Sequence, residues 1–275
     1  MSHSVADRTN MTAAKQPEVF SAVSYNIHQC VGLDGRCDIT RIARILSGLN
    51  TRLIGLQEVG TDPQGTAHSL QMEYLAKSTG LHAISGITLM RQAGPYGNVL
   101  LTGWRVLRSR LIDLSVPGRE PRGAIDAELD IAGQTVRVVV THLGLKAFER
   151  RYQVLRLLEA LSQGQHRFIV VLGDINEWIL RSRRLRWFYN RFGKPPAPRT
   201  FPSRWPLFAL DRIWVLPREA LLDVRAQATT LTRVASDHLP IRAVIALNPV
   251  RVEEESLWRG PERRIEPAPR QGPPT

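Results

Sequence analysis

Polar residues with metal-binding or phosphate-binding side chains recur beside the apolar runs of this chain. Asn26 follows residues 20–25, Gln57 and Glu58 follow 53–56, His142 follows 136–140, and Asp174 and Asn176 follow 168–172. Asp237 and His238 stand just before the run 241–247. One polar residue after a strand carries no information, because every strand must end. The recurrence points to several strand ends meeting at one place, with rigid elements holding functional loop residues. Carboxylates and amides without thiolates form a hard oxygen-donor set, which suits Mg²⁺ or Mn²⁺. Two histidines add phosphate contacts or acid/base capacity.

The elements that must position these residues read as β-rich runs alternating with helical patterns. Strands are expected at 20–26, 53–57, 99–102, 106–112, 124–129, 136–141, 168–172, 212–215 and 241–247. Asp38 is a suitable N-cap for a helix carrying Ile42, Ile45, Leu46 and Leu49, and Val154, Leu155, Leu158 and Leu161 mark a second helix. Most gaps between strands are too short for crossover helices, so a layered α/β protein with much antiparallel pairing is expected.

Three segments differ in composition: a polar amino-terminal stretch at 1–17, one globular unit at 18–248, and a tail at 249–275. Five prolines fall in the last fifteen residues (Pro261, Pro267, Pro269, Pro273 and Pro274), which predicts a mobile tail. With 275 residues, 43% of them hydrophobic, the chain fits neither a disordered nor a collagen-like class. No apolar run approaches the roughly 18 residues that span a bilayer. The first residues hold Asp7, Arg8, Lys15 and Glu18 with no apolar stretch, so a cytoplasmic protein is expected, with a peripheral place at the membrane as the alternative. Cys30 and Cys37 lack the second ligand pair of a zinc site and read as reduced thiols. The 37 basic and 25 acidic residues leave a net charge of +12, which favours a polyanionic partner such as nucleic acid, anionic lipid or a phosphorylated small molecule. Only four of the cations are lysines, and an arginine bias of that kind also arises from base composition.

Seven short motifs carry a family resemblance. Ser24-Tyr25-Asn26-Ile27, Leu56-Gln57-Glu58-Val59, Gly97-Asn98-Val99-Leu100-Leu101, Thr141-His142-Leu143, Gly173-Asp174-Ile175-Asn176, Leu210-Asp211-Arg212-Ile213 and Ser236-Asp237-His238 occur in order between residues 20 and 247. Together they resemble the endonuclease/exonuclease/phosphatase superfamily, whose members are similar to deoxyribonuclease I. The stretches near Arg122-Gly123, 141–145, 199–202 and 211–213 resemble the bacterial YbhP-like branch.

The resemblance implies a four-layer α/β/β/α sandwich of two packed mixed sheets and a metal-dependent phosphoesterase using Mg²⁺, with Mn²⁺ as substitute. It makes Glu58 the principal metal ligand with Asn26 beside it and Asp237 nearby. Asp174 readies the attacking water, Asn176 and His142 hold phosphoryl oxygens, and His238 acts on the phosphate with Asp211 orienting it. Asn98 supports the site. His28 stands two residues after Asn26, where some nucleases of the superfamily carry an acidic ligand, so the resemblance does not extend to that second metal position. His68, His82 and His166 match no motif and read as structural. Arg122 and Arg151 offer phosphate contacts or surface salt bridges.

One segment outside the motifs bears on the substrate. Residues 178–192 mix Arg181, Arg183, Arg184, Arg186 and Arg191 with Trp187, Phe188, Tyr189 and Phe192 just after Asp174 and Asn176. That mixture suits nucleic-acid stacking through residues such as Arg184 and Trp187, or a membrane-surface helix, or a helix whose rings enter the core and whose arginines face water. Phosphodiester bonds of nucleic acid are the expected substrate. Lipid headgroups or inositol phosphates are the alternative, a catalytically silent binding module is a third reading, and no obligate protein partner is inferred.

Overall fold

A computed structural model of the chain describes residues 19–60, 71–92, 94–179 and 182–248. The amino-terminal stretch, the Pro-rich tail, His68 and Arg181 lie outside the described residues. Among the described residues, eleven strands form two sheets. The first contains β1 (Val19–Asn26), β2 (Leu53–Val59), β3 (His82–Arg91), β4 (Gly94–Thr102), β10 (Leu221–Ala226) and β11 (Ile241–Ala246), in the order β10-β11-β1-β2-β4-β3. The second runs β5 (Arg105–Asp113), β6 (Gly123–Ile131), β7 (Gln134–His142), β8 (Ile169–Asp174) and β9 (Asp211–Leu216) in chain order. The parallel pairs are β1 with β2 and β7 with β8, and the other pairs are antiparallel.

The period-2 alternation of strands sorts the side chains into layers. Phe20 and Ala22 of β1, Val136, Val138 and Val140 of β7, Val170 and Leu172 of β8, and Ile213 and Val215 of β9 fill the space between the sheets. Their alternates face outward. Val23 and Tyr25 meet α1 (Ile39–Gly48) and α2 (Gln71–Thr79), while Val139, Val171 and Trp214 meet α3 (Ala147–Ser162) and α4 (Arg183–Phe192). The expected four-layer sandwich is thus present. Among the described residues no helix is long and apolar enough to cross a membrane.

Asp38 caps α1 as expected, accepting the N–H of Arg41 at 2.9 Å. In α3 the buried stripe is Val154, Leu157 and Leu161, with Leu158 partly buried; Leu155, expected on that face, is exposed because the helix turns it toward water. The carboxyl end of α3 is held by two arginines. Arg137 donates to the carbonyls of Ala160 and Gln163, and Arg191 donates to that of Leu161, satisfying groups that a helix end leaves without partners. Arg137 also grips Asp126 with two hydrogen bonds of 2.8 Å, and Arg110 donates to the same carboxylate. β3, β10 and α2 were not expected from the sequence.

Candidate active site

Strand register brings the polar residues together. Asn26 is paired with Gln57 at the ends of parallel β1 and β2, His142 with Asp174 at the ends of β7 and β8, and Asp174 with Asp211 across β8 and β9. Antiparallel β11 starts opposite Ser24, so Asp237 and His238 precede it at the same edge. Two backbone features refine the placement. The β2–β4 register shifts between Leu56 and Val59, and Glu58 takes a left-handed φ of 57° that re-aims its side chain. Gly173 admits no side chain, since a Cβ there would lie 1.9 Å from the Thr141 carbonyl oxygen. That close approach sets Asp174 level with His142.

The resulting cluster spans both sheets. The Asn26 amide nitrogen donates to Glu58 Oε1 (3.0 Å) and to Asp174 Oδ2 (3.1 Å). The other oxygen of Asp174 accepts the N–H of Asn176 at 2.9 Å. His238 Nδ1 lies 2.9 Å from Asp211 Oδ2, and its Nε2 lies 3.6 Å from Asp174 Oδ2. His142 Nε2 faces the Asn176 amide (3.0 Å), Asp174 (3.5 Å) and Glu58 (4.0 Å).

The two histidines are driven in opposite directions. Burial followed by the Arg122 cation holds His142 well below the usual imidazole range. Both ring nitrogens of His142 face donors, Nδ1 the Arg122 Nη1 (3.1 Å) and Nε2 the Asn176 amide nitrogen (3.0 Å), surroundings that favour the neutral ring over the imidazolium. Burial also disfavours charge on His238, but the Asp211 and Asp174 carboxylates outweigh it and lift His238 to about 10. Asp174 is raised to about 6, chiefly by burial, against the pull of the His238 charge. A neutral imidazole, an imidazolium and a carboxylate poised near neutrality therefore share one site.

The donor chemistry fits a hard divalent cation. Asp174, Asp211 and His238 offer one ligand atom each within 4.8 Å of one another, a spacing that suits such an ion. An imidazolium does not ligate, however, and both ring nitrogens of His238 already face carboxylates. Glu58 is partly exposed beside Asn26, and among the described residues no lysine or arginine pairs with it. Within the cluster, that carboxylate is left with charge to neutralise.

Other expected site residues lie elsewhere. The Asp237 carboxylate accepts from the Ser236 hydroxyl at 3.3 Å and stands outside the tight cluster. Asn98 donates to the Gly123 carbonyl (3.0 Å), joining β4 to β6. Arg184 is engaged by the buried Glu177, and Trp187 packs against the core beside α3, because Phe188 of the same helix stacks on Trp214 at 4.5 Å and fixes its orientation. Neither is brought to the cluster. Arg151 is exposed on α3. Sequence reasoning missed that Arg122 holds His142, that the Phe201 ring lies 4.9 Å from that of His238, and that Ser236 ties the site to β1 by donating to the Asn26 carbonyl (2.8 Å). The Ser236-Asp237-His238 triplet was the one available signal, since a serine two residues before a histidine can bond that histidine's N–H, as here at 3.2 Å.

Comparison with known proteins agrees with this geometry. Residues 17–184 match the family described as PGAP2IP, C-terminal nuclease-like domain. The chain is 27% identical over 248 residues to the uncharacterised protein YbhP of Escherichia coli (strain K12), covering 83% of this chain and 96% of that one. An endonuclease/exonuclease/phosphatase structure from Beutenbergia cavernae superposes with a TM-score of 0.68 at 21% identity, covering 84% of this chain and 72% of the other. One from Bacteroides vulgatus gives 0.68 at 20% identity, covering 84% and 100%. The chain belongs to the PGAP2IP C-terminal nuclease-like family, within the endonuclease/exonuclease/phosphatase superfamily.

Proposed function

We propose that this protein hydrolyses phosphodiester bonds with a divalent cation, Mg²⁺ first and Mn²⁺ as its substitute. The observation that carries the reading is the single Asn26 amide held between Glu58 and Asp174, with both histidines facing the same Asp174 oxygen. Glu58 and Asn26 would hold the ion, with Asp237 nearby. Bound there, it supplies positive charge against the negative charge that develops on phosphoryl oxygens.

The chain's own residues do the rest. Asp174 takes the proton of the attacking water; its two oxygens are aimed by the Asn26 amide and the Asn176 N–H. His238, kept charged by Asp211, presents its Nε2 proton to a phosphoryl oxygen or leaving group. The Asn176 amide, held beside His142 Nε2 at 3.0 Å, donates to a second oxygen, and the neutral His142 ring lines the same position. A silent binding module is disfavoured, because burying two aspartates and two histidines together costs stability that binding alone does not require.

Nucleic acid is the first substrate on charge, since the net +12 steers polyanions toward the surface. Lipid phosphodiesters are the second, favoured by the exposed apolar side chains around the site described below. Purified protein is expected to nick supercoiled plasmid in Mg²⁺ or Mn²⁺, to stop on chelation, and to lose at least about 10²-fold of that rate as Glu58→Ala. Undiminished cutting by Glu58→Ala overturns the metal assignment. Folded protein that leaves plasmid intact moves the substrate to lipid phosphodiesters.

A further inference from the structure

Three loops at the sheet edge that bears the site expose apolar side chains of unusual extent. Leu145 is 62% exposed after β7, Ile179 is 61% exposed after β8, and Trp205 (73%) and Leu207 (60%) stand before β9. The loops form one continuous rim. Arg150 donates to the Gly144 carbonyl (3.2 Å) and lies 3.5 Å from Glu177, whose other oxygen accepts the N–H of Ile179 (3.2 Å). The adjacent Trp178 packs edge-on against Phe208 (4.8 Å) and Phe201 (5.5 Å), and Phe201 in turn accepts the N–H of Leu207 (2.8 Å) and touches the His238 ring. The rim therefore runs from the mouth of β7 to His238.

Its charge is one-sided. Among the described residues, the exposed charged side chains of these loops are Lys146, Lys194, Arg199 and Arg204, with Arg183 at the start of α4. The acidic ones, Glu149 and Glu177, are buried in ion pairs with Arg119, Arg150 and Arg184. Isolated apolar residues on a surface are ordinary, but a continuous apolar edge fringed only by cations is the pattern of a surface that enters the headgroup region of an anionic bilayer. Single-stranded nucleic acid asks for aromatic faces along a basic groove. Here three of the four most exposed members, Leu145, Ile179 and Leu207, are aliphatic and have no face on which a base can stack.

We propose that this rim docks the protein on an anionic lipid surface, with the site opening toward the headgroups. The docking goes beyond the hydrolytic reading and does not depend on it. Flotation of the full chain with phosphatidylcholine vesicles, with and without phosphatidylglycerol, tests it. Wild type is expected to float with the anionic vesicles. The Trp205→Ser/Leu207→Ser variant, altered only at exposed positions, is expected to bind them at least about tenfold more weakly. Lys146→Glu/Arg204→Glu is expected to lose the preference for phosphatidylglycerol. Wild type that floats with neither vesicle overturns the proposal, as does a Trp205→Ser/Leu207→Ser variant that floats like wild type. Binding to a single-stranded oligonucleotide that this variant loses, without vesicle binding by wild type, assigns the rim to base stacking and also overturns it. Glu58→Ala is expected to float normally while failing to hydrolyse. Wild type that floats but cuts no phosphodiester overturns the catalytic reading alone.

Discussion

Asp174→Asn protein is expected to turn over phosphodiesters about 10²–10⁴-fold more slowly than wild type, with its circular dichroism unchanged. Asparagine keeps an oxygen for the N–H of Asn176 but cannot take a proton from water, and it gives up the acceptor that aims the Asn26 amide. Thermal stability should equal or exceed that of wild type, because the substitution removes a carboxylate whose burial beside Asp211 is itself unfavourable. The sign of the pH dependence follows. The base works deprotonated and burial lifts it to about 6, so wild-type turnover falls as pH drops through that value. That limb should move to lower pH as divalent metal is titrated in, which rate profiles at several metal concentrations would reveal. His238→Ala should lose activity on the same scale, since the donor held charged by Asp211 is gone. Near wild-type rates in either variant would remove that residue from the chemistry.

Arg137→Leu is expected to cost about 3–5 kcal/mol of stability, lowering the unfolding midpoint by roughly 6–20 °C. The arginine is fully buried and does three jobs: it pairs with Asp126, and it satisfies the carbonyls of Ala160 and Gln163 at the end of α3. Leucine leaves those carbonyls without a partner and Asp126 with Arg110 alone. Burial pushes the Asp126 carboxyl up, but hydrogen bonds from Arg137 and then Arg110 hold it below its ordinary value. Its contribution is therefore complete above the unfolded carboxyl value of about 3.9 and is lost as pH falls through the lower folded one. Calorimetry of both proteins at neutral pH is decisive: a change below about 1 kcal/mol means that neighbouring groups or water replace the guanidinium.

The strands legible in the sequence are mostly those buried on both faces, such as 168–172 and 136–140, where apolar residues run nearly unbroken. β3 and β10 escaped notice because each is an edge of the first sheet and carries half-exposed residues with little contrast between faces. α2 escaped because Leu75 is its one fully buried apolar residue. The site was legible as strand ends, since polar residues there are local in sequence. What crosses between elements was not. Nothing near Arg122 announces that its partner is His142, and nothing near Phe201 announces the His238 ring. The aromatic helix after Asn176 had three readings on composition alone; the stacking of Phe188 on Trp214 decides for the core.

The contacts that close the site also join distant parts of the chain. Asn26 bonds Asp174, 148 residues later, and accepts from Ser236, 210 residues later. β11 then pairs with β1 inside the first sheet. During synthesis the earlier strands leave the ribosome with Asn26 and Glu58 in place but without His238 or the strand that aligns it. The growing polypeptide thus carries an incomplete active centre until residues 236–246 have emerged and docked. Hydrolysis is therefore expected only after β11 has paired with β1.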